Sequence, residues 1–322
     1  MRAPWKFKVG LALGGGAARG LAHLGVLRAL DRAGIPIDVI VGTSMGAIIG
    51  GAYAATRDIE ELERKVRIRL DSEEFKKTKI KFLKESKQQR GGLLFSVANL
   101  VRKGIFYGVS SMRPSFLSAE AFATSFETIL PEEPIENLPI RFGAVALDIE
   151  SGHEVVICSG NLHHAAKASS AIPGILPPVK LNGRTLIDGG WVDKIPVMPA
   201  FLLGADLVIA VDITAGLEGV PNLTRGVDIM VRADAIKDST LVSHLRRLAD
   251  LIVTPDVKSV HWADFGAYDK CIAAGDEAAQ NALPQIKAML RRERILSILR
   301  PGPGKKMARL HHGTGESEIY LE

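Results

Sequence analysis

Cysteine is nearly absent from this sequence: Cys158 and Cys271 are the only two among 322 residues, and both sit beside apolar neighbours. Two such residues cannot build a disulfide framework, and they read as free buried thiols of a reducing compartment. Long apolar runs are missing as well. No stretch approaches the roughly 18 uncharged apolar residues that a membrane-spanning helix needs. The apolar run near the N-terminus is broken by glycines within about six residues, too short for the core of a signal peptide. A cytoplasmic location is expected. There is no HExxH and no cluster of carboxylates, so neither a metal nor a cofactor is expected.

What is present fits one large α/β domain or two small ones: 47% hydrophobic residues can fill a core at this length. The first fifty-five residues read as strand, turn, helix, strand, turn, helix. Lys6–Leu13 is a strand entering a glycine turn. Leu21, Leu24, Val26, Leu27 and Leu30 then recur at helical spacing, and Ile37–Val41 is a short buried strand. Gly42–Gly46 makes a second tight turn, and Ala47–Ala55 a helix of small residues. Both turns stand at the carboxyl ends of strands, the edge where open α/β sheets bind ligands.

Later segments resume the pattern. Ile140–Ile149 and Glu154–Cys158 flank a hairpin turn, and His163–Ala171 is helical. Asn182-Gly183 turns a second hairpin whose outgoing arm ends at Asp188-Gly189-Gly190. Asp206–Ile213 and Leu251–Thr254 read as strands, and Arg225–Ala249 and Phe265–Arg292 as helices. Residues 293–322, with PGPGKK and HHGTGES, read as a flexible tail.

Charge is concentrated. The net charge is +5, yet Arg57–Arg113 alone holds fifteen Lys/Arg against eight Asp/Glu, which leaves the rest of the chain at −2. Lysines interleaved with Ile80, Phe82 and Leu83 suit peripheral contact with an anionic membrane, and read equally as a solvated helix. The segment lacks the aromatic interleaving of a single-strand binder, so no nucleic-acid partner is expected.

Three features carry chemistry. Gly42-Thr43-Ser44-Met45-Gly46 is a GxSxG turn between strand and helix; glycines free the sharp turn of Cβ clashes and the helix start favours negative charge at the serine oxygen. Gly14-Gly15-Gly16-Ala17-Ala18-Arg19-Gly20 offers bare backbone amides at a strand end, an anion cradle. It fails the GxGxxG nucleotide pattern because Arg19 replaces the third glycine, and Arg19 itself reads equally as a structural clamp or an anion ligand. Asp188 beside Gly189 and Gly190 reads alone as a turn residue, with catalysis as the other reading.

Taken in order, GGGAARG, then GTSMG 28 residues on, then DGG after ASSAIPGILPP, resemble the patatin-like phospholipases, over roughly residues 7–213 and in the manner of short bacterial members. The resemblance implies a three-layer α/β sandwich with a mostly parallel central sheet flanked by helices and an inserted helical lid at about 57–120. Residues 214–292 would complete the domain. It implies a serine acyl hydrolase acting on fatty acyl esters of lipids, with Ser44 as nucleophile and Asp188 as base. Gly14, Gly15, Gly16 and Ala17 would form the oxyanion hole, supported by Arg19, Gly42, Gly46, Gly189 and Gly190. The chain departs from the family where Lys194 stands before Ile195-Pro196-Val197, a position often held by asparagine.

Two alternatives differ in kind. A Ser–His–Asp esterase needs a histidine after the acid, but His244 lies in a helical pattern, His261 precedes Trp262, and His311 and His312 are in the tail. His23 falls inside the first helix, and His163 and His164 open another. A binding or regulatory protein with little turnover would not need Ser44, Asp188 and the glycine loop together.

Overall fold

Strands β1 (Val9–Leu13) and β2 (Val39–Thr43) are buried along their whole length, as apolar runs covered on both faces should be. Their side chains alternate between two cores: Leu11, Leu13 and Ile40 enter one, and Ala12, Val39 and Val41 the other. The computed structural model describes residues 7–73, 75, 128–217, 223–224, 226–299 and 319–321.

Helices α1 (Ala22–Arg32), α2 (Met45–Thr56) and α3 (Ile59–Asp71) follow the first two strands, then β3 (Arg141–Asp148), β4 (Glu154–Ile157) and α4 (Leu162–Ser169). The hairpin β5 (Val179–Leu181) and β6 (Arg184–Asp188) leads through α5 (Val197–Leu202) to β7 (Leu207–Val211). The chain continues as α6 (Gly226–Arg246), β8 (Leu251–Val253), α7 (Tyr268–Leu299) and β9 (Ile319–Leu321).

Among the described residues the strands form one nine-stranded sheet whose main path runs β5-β6-β3-β2-β1-β7-β8. From β3 through β8 that path is parallel, whereas β4 and β6 pair antiparallel with β3. Helices α1, α2, α3, α4 and α7 cover one face, and α5 with part of α6 the other. The result is a mixed α/β sheet flanked by helices, three layers deep.

The register of β3 positions the site. Val145 pairs both with Thr43 of β2 and with Val156 of β4, so those strands occupy opposite edges of β3. Ala146 pairs with Val155 of β4 and with Asp188 of β6. Strand β6 therefore takes over the edge that β2 leaves at Thr43.

Segments differ from expectation at the C-terminus. Helix α7 runs to Leu299, seven residues past Arg292, because RERILSIL contains neither glycine nor proline. Residues Ile319–Leu321 pair parallel with β4, extending that edge of the sheet. The expected lid at 57–120 begins with α3, capped by the Asp58 carboxylate on the Glu61 N–H at 2.9 Å; residues 76–127, with most of the basic segment, lie outside the described residues. Cys158 and Cys271 are free thiols. Among the described residues no helix is long and apolar enough to cross a membrane.

Candidate active site

Ser44 sits between β2 and α2 with φ 55° and ψ −119°, a left-handed conformation that costs energy for any residue bearing a Cβ. The turn closes only because its flanks are bare. A Cβ on Gly46 would lie 2.1 Å from the Leu13 carbonyl oxygen, and one on Gly42 would lie 2.3 Å from Gly46 backbone. Two further contacts hold the turn. The Ser44 N–H donates to Ser169 Oγ at 2.9 Å, and Thr43 Oγ1 donates to the Asp193 carbonyl at 2.9 Å. Ser169, wholly buried at the end of α4, was not among the expected site residues. Its only trace in the sequence is its place in the run before DGG.

Asp188 ends β6, and its backbone N–H donates to the Ala171 carbonyl at 3.0 Å. Its carboxylate accepts the Gly190 N–H at 2.7 Å and lines the same cavity as Ser44. Burial raises its pKa to about 6, opposed by the Gly190 N–H, by Ser44 and by the positive charge of Lys194. Asp188 therefore titrates near neutrality, with the Ser44 hydroxyl among the groups that favour its charged form.

The glycine loop leaves β1 beside the turn, since Leu13 pairs with Gly42. Not all of its amides face the cavity. Gly14 N–H donates to the Val211 carbonyl at 3.1 Å and Gly15 N–H to the Lys194 carbonyl at 3.0 Å. Those two expected oxyanion donors are spent on holding the loop to the end of β7 and to the segment after Asp188. Ala18 N–H is bound to the Trp262 carbonyl and Arg19 N–H to that of Gly16. Among the described residues, the N–H groups of Gly16 and Ala17 have no acceptor. Ala17 adopts φ 48°, and Gly16 and Ala17 both line the cavity.

Arg19 donates from Nε to the Val260 carbonyl at 2.7 Å and also lines the cavity, so it clamps the loop from one side. His23 supports it from below. Its Nε2 lies 2.7 Å from the Gly14 carbonyl oxygen, and burial lowers its pKa to about 4. It is therefore neutral, with Nε2–H donating.

A second pair of carboxyls lies beneath the site. Glu154 of β4 and Asp193 are both buried and hydrogen-bonded to each other, and burial raises both pKa values. The Asp193 carboxylate also accepts the Ile195 N–H at 2.9 Å.

The cavity above Ser44 has a volume of about 370 Å³. Ile172, Trp191, Ile213, Trp262 and, from α6, Ala235 and Val242 make apolar walls, while Lys194, Asp238, Ser239 and Thr214 make a polar one. No histidine lines it among the described residues. His163 instead bonds the Leu130 carbonyl, and His261 Nδ1 accepts the Ala263 N–H. No cluster of three metal-ligating side chains occurs among the described residues. The part played by α6 was not foreseen, because nothing local to its sequence marks it as a cavity wall.

The patatin-like phospholipase family model matches residues 11–201, spanning the glycine loop, the Ser44 turn and Asp188. An NTE family protein of Mycobacterium bovis, described as uncharacterized, is 36% identical over 250 residues, covering 76% of this chain and 60% of that protein. Human patatin-like phospholipase domain-containing protein 6 is 30% identical over 255 residues, 78% of this chain but 16% of its own length. Lysophospholipase NTE1 of Candida glabrata is 26% identical over 292 residues, 83% of this chain and 15% of its own. The chain thus spans three fifths or less of these relatives. With a family match covering more than half of its length, the chain belongs to the patatin-like phospholipase family.

Proposed function

We propose that the chain is a serine acyl hydrolase that cleaves fatty acyl esters of lipids through a dyad of Ser44 and Asp188. The observation that carries this reading is that the strained Ser44 turn and a buried carboxylate of raised pKa, Asp188, line one cavity with no histidine among its described lining residues. The lysophospholipase name of one relative agrees with a lipid ester as substrate.

The chemistry follows from the geometry. Asp188 takes the Ser44 proton as Oγ forms a bond to the ester carbonyl carbon. The carbonyl oxygen becomes an oxyanion facing the Gly16 and Ala17 N–H groups, which have no competing acceptor among the described residues, and the start of α2 adds a positive field. Collapse breaks the bond to the alcohol, which leaves with the proton from Asp188. Water then loses a proton to Asp188 and attacks the acyl-enzyme, releasing the fatty acid and returning the proton to Ser44. A carboxylate with pKa near 6 is a stronger base than an exposed aspartate yet is ionised at neutral pH.

The reading includes reversible docking on anionic membranes. The described part of the basic segment contributes little. On α3, Arg64 pairs with Glu61, and Arg67 with Glu63 and Asp269. The excess lies in residues 76–113, with ten Lys/Arg against a single acid, Glu85.

Hydrolysis of a short-chain p-nitrophenyl ester by the wild type and by Ser44→Ala tests the activity. Turnover that disappears in the folded variant is the expected result. Equal turnover by both, or none by the wild type, contradicts the proposal.

A further inference from the structure

We infer that Lys194 is a specificity-determining residue of the cavity, which receives the anionic phosphate of the substrate's headgroup and so selects phosphate-bearing monoacyl esters over neutral glycerides. This rests on the acyl-hydrolase reading above.

Lys194 has two functions at opposite ends. Its carbonyl accepts the Gly15 N–H, which fixes the residue against the glycine loop. Its side chain passes Gly190, where Cγ lies 3.9 Å from the place a Cβ would occupy, and reaches the cavity wall. There its ammonium donates to Asp238 Oδ2 of α6 at 2.5 Å. An ammonium has three N–H donors, and among the described residues Asp238 is its single hydrogen-bonding partner. Two donors are therefore left without an acceptor among the described residues, on a side chain that lines the cavity. Lys194 is a quarter exposed, enough to meet a ligand while remaining ordered by the ion pair.

The lining is mixed: Trp191, Ile213 and Val242 suit an acyl chain, and Lys194, Asp238, Ser239 and Thr214 are polar, with the Asp238 charge answered by Lys194. The charge of Lys194 is felt at Asp188, whose pKa it lowers, so it lies within electrostatic reach of the reacting ester. An acyl ester whose carbonyl sits at Ser44 carries its glycerol within reach of that lining, and a phosphate there meets a cation already desolvated on one side. The hydroxyls of a neutral glyceride can accept only uncharged hydrogen bonds there, roughly half as strong as those of a phosphate.

The test compares 1-octanoyl-glycerophosphoglycerol with 1-octanoylglycerol, both as monomers, at pH 8 where Asp188 is ionised in every variant. The readout is the ratio of their kcat/KM values, in which any general loss of catalysis cancels. The wild type should favour the phosphate-bearing ester by about tenfold or more, the worth of one charge-assisted hydrogen bond. Lys194→Met should bring the ratio to within about threefold of unity, through KM. Lys194→Arg should keep it, and Asp238→Asn, which removes a competing anion, should raise it.

A wild-type ratio near unity, or a ratio unchanged in folded Lys194→Met, overturns the assignment while leaving the hydrolase reading intact. Should Lys194→Met fail to fold, a ratio that falls in Asp238→Asn overturns it equally. If neither ester is hydrolysed although a fluorophosphonate labels Ser44, the substrate assignment alone fails. If Ser44 is also unlabelled, both readings fail.

Discussion

Ser44 and Asp188 meet on one edge of β3, where Thr43 pairs with Val145 and Asp188 with the next residue, Ala146. The serine turn and the aspartate are thus placed by backbone hydrogen bonding in a buried sheet rather than by a flexible loop. Such a site resists drift, because shifting the register of β6 by one residue would turn every side chain of that strand to the opposite face.

The proton state of Asp188 sets the pH dependence. As a base it must be ionised, and burial holds its pKa at about 6. The kcat/KM for a soluble ester should fall about tenfold per pH unit below that value and level off above about pH 7. A profile flat down to pH 4 would remove Asp188 from the role of base.

The same shift makes a stability prediction. Asp188 ionises near 3.8 when unfolded and near 6 when folded, so the folded state binds its proton more tightly. The resulting stabilisation is complete below 3.8 and is lost as pH rises through 6. Asp188→Asn avoids that loss, which two pKa units put at roughly 3 kcal/mol at most. The inactive variant should melt higher than the wild type at pH 8, with the gap closing below about pH 4. A variant less stable at pH 8 would contradict the buried-carboxylate account.

Ser169 gives a prediction that does not involve the reacting groups. Ser169→Ala removes the acceptor of the buried Ser44 N–H and should cost roughly 1–3 kcal/mol. Because the turn then relaxes, kcat should drop about tenfold with little change in KM. Unchanged kcat in a destabilised variant would confine Ser169 to a purely structural role.

Membrane docking should depend on residues 76–113. Co-sedimentation with phosphatidylglycerol vesicles should weaken with added salt, since screening acts over about 8 Å at physiological ionic strength. Substituting Lys76, Lys77, Lys79 and Lys81 by glutamine should reduce binding while sparing hydrolysis of a soluble ester, each cation contributing about 1 kcal/mol. Equal, salt-insensitive binding to zwitterionic vesicles would contradict an electrostatic mechanism.

Much of this architecture was legible in the sequence, for local reasons. Glycines flanking Ser44, apolar runs ending in turns, and Asn182-Gly183 before β6 each reflect a demand on nearby backbone. What escaped was decided by distant contacts. Whether Gly14 and Gly15 could serve as oxyanion donors depends on Val211 and Lys194, which accept their N–H groups from far along the chain. Ser169, the Glu154–Asp193 pair and the Lys194–Asp238 bridge likewise gain their meaning only once separate elements pack. The extent of α7 was misjudged at Arg292 because charged residues can continue a helix as readily as they end one.

The most direct measurement is mass-spectrometric mapping of the adduct formed by a fluorophosphonate, in the wild type and in Asp188→Asn. A single adduct on Ser44 is expected, formed far more slowly in the folded Asp188→Asn protein and unaffected by replacing His163, His244 or His261. An adduct on another residue, or labelling of Asp188→Asn at the wild-type rate, would contradict the Ser44–Asp188 dyad.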